Sequence, residues 1–271
     1  MNEIQKPDPS IAIVGDNVIE RYVGEENAQY IGGNALNVAI HLARTGQSTS
    51  YFGAIADDDE GEIVARTLAM NLVNTTGLVV LPGTTAVKQI RITDTGARVV
   101  EAEDVGITSE YFPDRATIKK IASATWVHLG KLTHASRLRA SIATAGTQTI
   151  VSQDCSASSG HQYLDIAFHP SNGARQDALD LAEEAISDGV KLVVVKRSDH
   201  AAIAYDGTSW WEQTPTASKS LDTTGAWESF IAGFISARIR NADIQDALTQ
   251  AVRAASAACQ HFGAFQQPQT I

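Results

Sequence analysis

The sequence predicts an α/β fold in which a mostly parallel sheet is covered by helices on both faces. Short apolar runs of strand length alternate with longer runs of helical periodicity along most of the 271 residues. Strands that are apolar throughout are buried on both faces, which is typical of parallel sheets between helical layers. With 44% hydrophobic residues, the chain can bury a large core.

The first half of the chain begins with two strand–helix units. Strands are predicted at 11–14 and 51–55, because both segments are continuously apolar and short. Helices are predicted at 35–44 and 62–72 from their periodicity, and Gly46 is placed to cap the first of them.

Residues 78–105 have a different character, because apolar and polar residues alternate on either side of a turn at 94–97. That pattern predicts an antiparallel ribbon. An edge ribbon over a cleft can act as a flap that excludes water from a reaction. The same ribbon could instead form a contact between two copies of the chain, so a monomer and a homodimer both remain open.

The second half returns to alternating strands and helices. Strands are predicted at 125–129, 149–152 and 191–195. Helices are predicted at 137–145, 177–187, 221–240 and 244–261. Ligands of such sheets gather at the carboxyl ends of the strands, where the chain places Gly15, Gly130, Asp154 and Lys196.

Charge and cysteine content exclude several classes of protein. The net charge of −10 disfavours a nucleic-acid partner, which would require a basic surface. Cys155 and Cys259 lie far apart and match no metal-binding spacing, which favours reduced thiols and a cytoplasmic location. We find neither a signal peptide nor an apolar run of the roughly 20 residues that cross a membrane.

The segment from Leu221 to Phe230 carries the strongest indication of chemistry. A polar turn containing Gly225 leads into an apolar helical pattern, and Glu228 lies in the first turn of that pattern. Free amides and the helix dipole make such a turn a seat for an anion. A carboxylate beside a bound phosphate can take a proton from an attacking hydroxyl. An ordinary helix cap remains the alternative.

A second run, at residues 32–39, precedes the first predicted helix. Gly32 and Gly33 let a ligand approach the backbone closely. Asn34 can cap the helix, and Asn37 lies on the same helical face. A glycine turn with a cap, and no ligand, would produce the same pattern.

Together, the two runs resemble the signatures of the PfkB carbohydrate kinases, the ribokinase-like sugar kinases. The first signature is matched by Gly32, Gly33, Asn37 and Ala39, and the second by Asp222, Thr223, Gly225, Ala226, Phe230 and Gly233. The resemblance implies one ribokinase-like, three-layer domain over residues 1–271, with the ribbon at 78–105 as a lid. ATP and Mg²⁺ are the cofactors it implies.

The N-terminal region narrows the resemblance to the fructoselysine 6-kinase branch of this family. A strand ending in Gly15, Asp16 and Asn17, followed by a second acid at Glu20, is similar to that branch. The implied sugar-binding residues are Asp16, Asn17, Glu20, Gly32, Gly33, Asn34 and Asn37. A turn-forming role for Asp16 and a solvated position for Glu20 are the alternatives.

The implied catalytic centre departs from the family pattern. Glu228 stands where the family has its catalytic Asp, and Trp227 stands where it has Gly. Glu228 would be the base, and the amides of Gly225, Ala226 and Trp227 would form the anion hole. Because a 1 Å misplacement can lower a rate about 100-fold, these changes predict a weak or inactive kinase that still binds sugar.

The implied nucleotide side also departs from the family pattern. The loop after the strand at 191–195 lacks the usual threonine and glycines. Lys196, Ser198 and Thr223 are the nucleotide-binding residues that the resemblance implies here. Arg175 replaces the glutamate that the family associates with Mg²⁺, so no protein ligand for a metal is predicted.

Three functional hypotheses follow from these observations. The first is ATP-dependent phosphorylation of a primary hydroxyl of a fructosamine such as fructoselysine, a small sugar–amino acid substrate. The second is a catalytically impaired, sugar-binding paralogue with a regulatory role. The third is a kinase with another phosphate donor or a nucleoside-like substrate.

Overall fold

The computed structural model describes residues 10–23, 28–92, 98–146, 148–197, 201–215 and 221–267. Its strands are β1 Ser10–Val14, β2 Val18–Val23, β3 Gln29–Gly32, β4 Ser48–Ile55, β5 Asn74–Val80, β6 Val87–Ile92, β7 Arg98–Asp104, β8 Trp126–Leu129, β9 Ile150–Asp154, β10 Ile166–Ser171, β11 Leu192–Arg197, β12 Ala202–Tyr205 and β13 Trp210–Gln213. Its helices are α1 Asn34–Arg44, α2 Asp59–Met70, α3 Arg115–Ala122, α4 Ala135–Thr144, α5 Arg175–Ser187, α6 Ala226–Ile239 and α7 Ile244–Ala258.

Nine of these strands form the central sheet, in the order β13-β12-β11-β10-β9-β8-β1-β4-β5. Every neighbouring pair from β11 to β5 is parallel, and β12 and β13 add an antiparallel edge. The predicted α/β class with a mostly parallel sheet is therefore confirmed.

Helices cover both faces of this sheet, and each face has its own hydrophobic core. Along β1, Ile11 and Ile13 join one core while Ala12 and Val14 join the other, as the alternation of side chains in a strand requires. The first core contains α1, α6 and α7, and the second contains α3, α4 and α5. Helix α6 is apolar nearly all round because it is buried from Ser229 to Ala237.

A separate four-stranded sheet, in the order β3-β2-β6-β7, forms the lid. The predicted ribbon corresponds to β6 and β7, which are antiparallel. Its predicted start at 78 was wrong, since residues 78–80 belong to β5, the parallel neighbour of β4 at the sheet edge. The predicted turn at 94–97 lies outside the described residues. Strands β2 and β3 complete the lid and were not predicted.

Several other boundaries differ from the sequence prediction. Helix α3 and strands β10, β12 and β13 were missed because they are short or of mixed polarity. Helix α6 begins at Ala226 and not at 221, since the chain before it is fixed in a turn. Helix α7 ends at Ala258, before the predicted 261. Within the described ranges, none of the helices has the length and apolar character needed to span a bilayer.

Candidate active site

The start of α1 is held by a carboxylate from a different part of the chain. Asp16 follows β1, and its two oxygens accept hydrogen bonds from the backbone N–H groups of Asn34 (3.0 Å) and Ala35 (2.9 Å). The predicted capping role of Asn34 was therefore wrong, because Asp16 fills that position. Gly33 adopts a φ of 120°, and a Cβ there would lie 2.6 Å from the Cα of Asn17. Only glycine allows this approach.

Three asparagines surround this helix start. The Asn17 amide donates to the Tyr51 hydroxyl (3.1 Å) and to the carbonyl of Ala54 (2.9 Å), so it also braces the β1–β2 connection. Among the described residues, the side-chain oxygens of Asn17, Asn34 and Asn37 are buried and accept no hydrogen bond from the protein. Buried acceptors normally have a partner.

Asp154, at the end of β9, joins α1 to α6. Its Oδ2 atom accepts hydrogen bonds from the Asn34 amide and from Nε1 of Trp227, the latter at 2.7 Å. Its Oδ1 atom accepts from the backbone N–H (2.9 Å) and hydroxyl (2.6 Å) of Ser156. The glycine pair near the start of the chain and the start of α6 therefore face each other across one carboxylate. Asp154 was predicted at the carboxyl end of a strand but not as a site residue.

The side chain of Trp227 is fixed by the protein. Its ring is stacked on Phe230, with centroids 5.7 Å apart and planes 10° apart, and it packs against the core that contains α1 and α6. Together with the hydrogen bond to Asp154, this packing defines the direction of the indole.

The turn before α6 is fixed by the C-terminal segment. Asp222 accepts hydrogen bonds from the backbone N–H of Thr224 (2.9 Å) and from that of Gly263 (2.9 Å). Gly225 adopts a φ of 74°, and a Cβ there would lie 2.4 Å from the carbonyl oxygen of Ala264. The two hydrogen bonds require an acceptor at position 222, and the nearby carbonyl leaves no room for a Cβ at position 225.

Gly225 is also the N-cap residue of α6, so no N-cap side chain covers the amides of the first turn. The Ala226 amide donates to the carbonyl of Thr223 (3.2 Å), which leaves the amides that follow it as the better candidates for an anion hole. Thr223 itself is exposed.

Glu228 lies among other carboxylates. Burial, together with the negative charges of Asp154, Asp16 and Glu20, raises the pKa of Glu228 to about 8. Burial also raises the pKa of Asp16 above its ordinary value. Asp16, Glu20, Asp154 and Glu228 therefore form one cluster of acids whose charges act on one another.

A cavity of about 280 Å³ lies between the lid and the central sheet. It is lined by Asp16, Asn17, Val18, Ala86, Lys88, Glu103, Val105, Thr108, Ser109, Lys131, Leu132 and Thr133. Two cations in this lining share one acid: Glu103 lies 3.0 Å from Lys131 and 3.6 Å from Lys88. The sequence analysis did not single out these three residues, because their proximity depends on the lid folding over the sheet.

The remaining predicted residues are placed as follows. Glu20 lies on β2, with its Cδ atom 3.5 Å from where a Cβ on Gly32 would be, so Gly32 leaves room for this acid. Lys196 lies near the end of β11 and is half-buried. Ser198 lies outside the described residues.

The chain is similar to known carbohydrate kinases over nearly its whole length. The family profile described as pfkB family carbohydrate kinase matches residues 11–270. A fructoselysine 6-kinase of Shigella flexneri is 29% identical over 94% of this chain and 99% of its own. A fructosamine kinase of Bacillus subtilis is 30% identical over 93% of this chain and 91% of its own.

Solved structures share the fold. The ribokinase of Arabidopsis thaliana, complexed with ribose and ATP, superposes with a TM-score of 0.84 at 20% identity, covering 94% of each chain. The ribokinase of Thermotoga maritima superposes with a TM-score of 0.80 at 20% identity, also covering 94% of each chain. With a matching profile over nearly its whole length and relatives of full-length similarity, the chain belongs to the pfkB family of carbohydrate kinases.

Proposed function

We propose that this protein transfers the γ-phosphoryl group of ATP to a primary hydroxyl of a fructosamine-type sugar. The observation that carries the proposal is the shared carboxylate of Asp154, which binds Asn34 at the start of α1 and Trp227 at the start of α6. The two helix starts are therefore close enough for one small molecule to span. The names of the relatives, a fructoselysine 6-kinase and a fructosamine kinase, support this substrate class.

The proposed sugar site is the region around the start of α1. The buried oxygens of Asn17, Asn34 and Asn37 accept no hydrogen bond from the described protein residues, and hydroxyl groups of a polyol would provide the missing donors. Asp16 and Glu20 would accept from further hydroxyls. Gly32 and Gly33 would allow the sugar to approach the backbone.

In the proposed reaction, Glu228 removes the proton from the attacking hydroxyl. Of the predicted anion-hole amides, those of Gly225, Ala226 and Trp227, the Ala226 amide already donates to Thr223, so the amide of Trp227 would be the main donor to the transferred group. Such a donor can contribute about 3 kcal/mol in the transition state. The nucleotide would bind as Mg-ATP, and its metal ion would supply neutralisation of phosphate charge. Lys196 and Thr223, with Ser198, are the residues proposed to contact it.

Charged groups of the cavity suit the amino-acid part of a fructosamine. Lys88 and Lys131 are cations that would pair with a carboxylate, and Glu103 between them would pair with an ammonium group. The proposed pocket therefore offers charges of both signs.

The direct test is an assay of the purified protein with Mg-ATP and fructoselysine, with ribose as the comparison sugar. We expect phosphorylation of fructoselysine, at a rate below the ~1–100 s⁻¹ of ordinary kinases, because of the substitutions at residues 227 and 228. Phosphorylation of ribose in preference to fructoselysine would overturn the substrate class. Turnover within the ordinary range would overturn the expected impairment.

The regulatory alternative has its own supporting observation. With a pKa of about 8, Glu228 is mainly protonated at neutral pH and is a poor base until it ionises. Calorimetry separates the two functions: a kinase binds both sugar and Mg-ATP, whereas a sugar-binding regulator binds sugar alone.

A further inference from the structure

A second cluster of reactive side chains lies on the other side of the strand that carries Asp154. Asp154, the last residue of β9, faces α6, whereas Cys155, which follows it, packs against the core that contains α4 and α5. The N–H of Cys155 donates to the carbonyl of Phe168 on β10 (2.9 Å), which brings the next residue, His169, beside Cys155. His161 comes from the segment between β9 and β10.

We propose that Cys155, His161 and His169 form a zinc-binding site, separate from the kinase site. The Sγ atom and one ring nitrogen from each histidine all lie within 4.8 Å of one another. The two Nε2 atoms are 3.1 Å apart. Tetrahedral zinc, with Zn–N of about 2.05 Å and Zn–S of about 2.3 Å, would require about 3.4 Å between the nitrogens and about 3.6 Å from nitrogen to sulfur. Small side-chain movements therefore reach the required geometry.

An outer carboxylate supports this assignment. Asp188, at the end of α5, accepts a hydrogen bond from Nδ1 of His161 at 2.8 Å. A proton on Nδ1 leaves the lone pair of Nε2 directed toward His169. Zinc-binding histidines commonly have such a carboxylate partner, which fixes the tautomer and orients the ring.

The chemistry of the three ligands selects the metal. One thiolate and two imidazoles form a ligand set for zinc, whereas Mg²⁺ prefers oxygen ligands and would remain with the nucleotide. All three residues are half-buried, which leaves access for the ion and for water as a fourth ligand. Binding would replace the thiol proton of Cys155, and that proton would be released to solvent.

A role for Cys155 as a free nucleophile fits the structure less well. Burial raises the pKa of the Cys155 thiol to about 12, and a reactive cysteine needs its thiolate form near neutral pH. A directly bound cation stabilises the thiolate even in a buried setting.

The test uses the tag-free full-length protein, stripped with a chelator and titrated with Co²⁺ as a spectroscopic probe. We expect one equivalent to bind, with a near-ultraviolet thiolate charge-transfer band and visible bands of a tetrahedral ion, and we expect Zn²⁺ to displace it. Cys155→Ser should remove the charge-transfer band and weaken Zn²⁺ binding at least tenfold. Asp188→Asn should keep the band but weaken binding about 10–100-fold, as an outer-shell partner does.

Cys259→Ala is the matched control, since Cys259 is the other cysteine and lies buried at the end of α7. It should leave the spectrum and affinity unchanged. The proposal is overturned if the wild-type protein shows no thiolate band, or if Cys155→Ser and His169→Ala both retain wild-type affinity. Should a variant fail to fold by circular dichroism, the wild-type spectrum alone decides. These readouts do not involve kinase activity.

Discussion

The two helices that meet at the site begin in the same way but differ in what covers their first turn. Helix α1 follows Gly33, with a φ of 120°, and α6 follows Gly225, with a φ of 74°. At α1, the protein supplies its own anion, because the carboxylate of Asp16 binds the first amides. The residue that accepts from the first amides of α1 also lines the cavity.

Before α6, the nearest carboxylate in the chain is that of Asp222. It accepts hydrogen bonds from the backbone N–H groups of Thr224 and of the distant Gly263, and so it fixes the turn that precedes the helix. An aspartate at α1 therefore gives a rigid end that can hold a neutral polyol. The first turn of α6 carries Glu228 instead, and because its raised pKa keeps it mainly protonated at neutral pH, this helix end can still receive an incoming phosphate. Four predictions concern this difference, and a fifth concerns the cavity.

The largest effect is expected at the start of α6. Glu228→Gln removes the proposed base, and we expect a loss of about 10²–10⁴-fold in kcat with sugar affinity retained. Steady-state kinetics and calorimetry measure the two quantities. Glu183→Gln, an exposed acid on α5, is the control and should change neither. Retention of full activity by Glu228→Gln would refute the catalytic role.

At the start of α1, Asp16→Asn replaces one carboxylate oxygen with an NH2 group. One of the two backbone N–H groups that Asp16 accepts from would then face a donor. The lost bond should lower the free energy of unfolding by about 2 kcal/mol and raise KM for the sugar. Asp243→Asn is the matched control, because Asp243 caps α7 by accepting from the N–H of Asp246 (2.8 Å). It should leave both the free energy of unfolding and KM nearly unchanged, because an asparagine oxygen can still accept this one bond. An unchanged KM for Asp16→Asn would show that Asp16 is only a cap.

Trp227→Phe tests the link between the two helix starts. It keeps the packing on Phe230 but removes the N–H that donates to the Asp154 carboxylate. We expect the free energy of unfolding to fall by about 1.5 kcal/mol, as for a hydrogen bond to a charged group. Trp211→Phe, on the edge strand β13, should cost less in the same denaturant titration. Equal losses would indicate that packing alone holds the indole.

The pH dependence of kcat/KM should reveal the raised pKa of Glu228 in the carboxylate cluster. Only ionised Glu228 can accept a proton, so kcat/KM should rise about tenfold per pH unit below a pKa of about 8 and then level off. The folded state binds this proton more tightly than the unfolded state, so the same group lowers stability as pH rises from about 4.5 to about 8. A profile already flat at pH 6 would contradict the assignment.

Lys131→Met should have the smallest effect, and one that depends on the substrate. Loss of the cation beside Glu103 should raise KM for fructoselysine about tenfold, as for one partly exposed charged contact. KM for fructose, which lacks the amino-acid part, should stay within about twofold. Equal increases for both sugars would place Lys131 away from the amino-acid part.

Elements with local patterns were predictable from the sequence. The apolar runs of β1, β4 and β11 and the periodicity of α1 and α5 follow from residues close together in the chain. Strands β2 and β3 were missed; they pair with each other as a hairpin, and β2 is joined to the rest of the lid by pairing with β6, whose residues lie far along the sequence. No local pattern contains that pairing.

The site shows the same division between local and distant causes. The glycine pair, Asp16 and Glu228 belong to short runs that are visible in the sequence. The capping of α1 by Asp16 and the hydrogen bond from Trp227 to Asp154 join separate segments, and the second spans 73 positions. Contacts of this kind arise only when the sheet brings its strand ends together.

The central claim is that the start of α6 faces a sugar bound at the start of α1. A crystal structure with fructoselysine and a non-hydrolysable ATP analogue tests it most directly. The account predicts a carboxylate oxygen of Glu228 within about 2.6–3.2 Å of the primary hydroxyl, with the γ-phosphate at the first amides of α6. A sugar bound elsewhere, or the Trp227 ring lying between hydroxyl and phosphate, would contradict it.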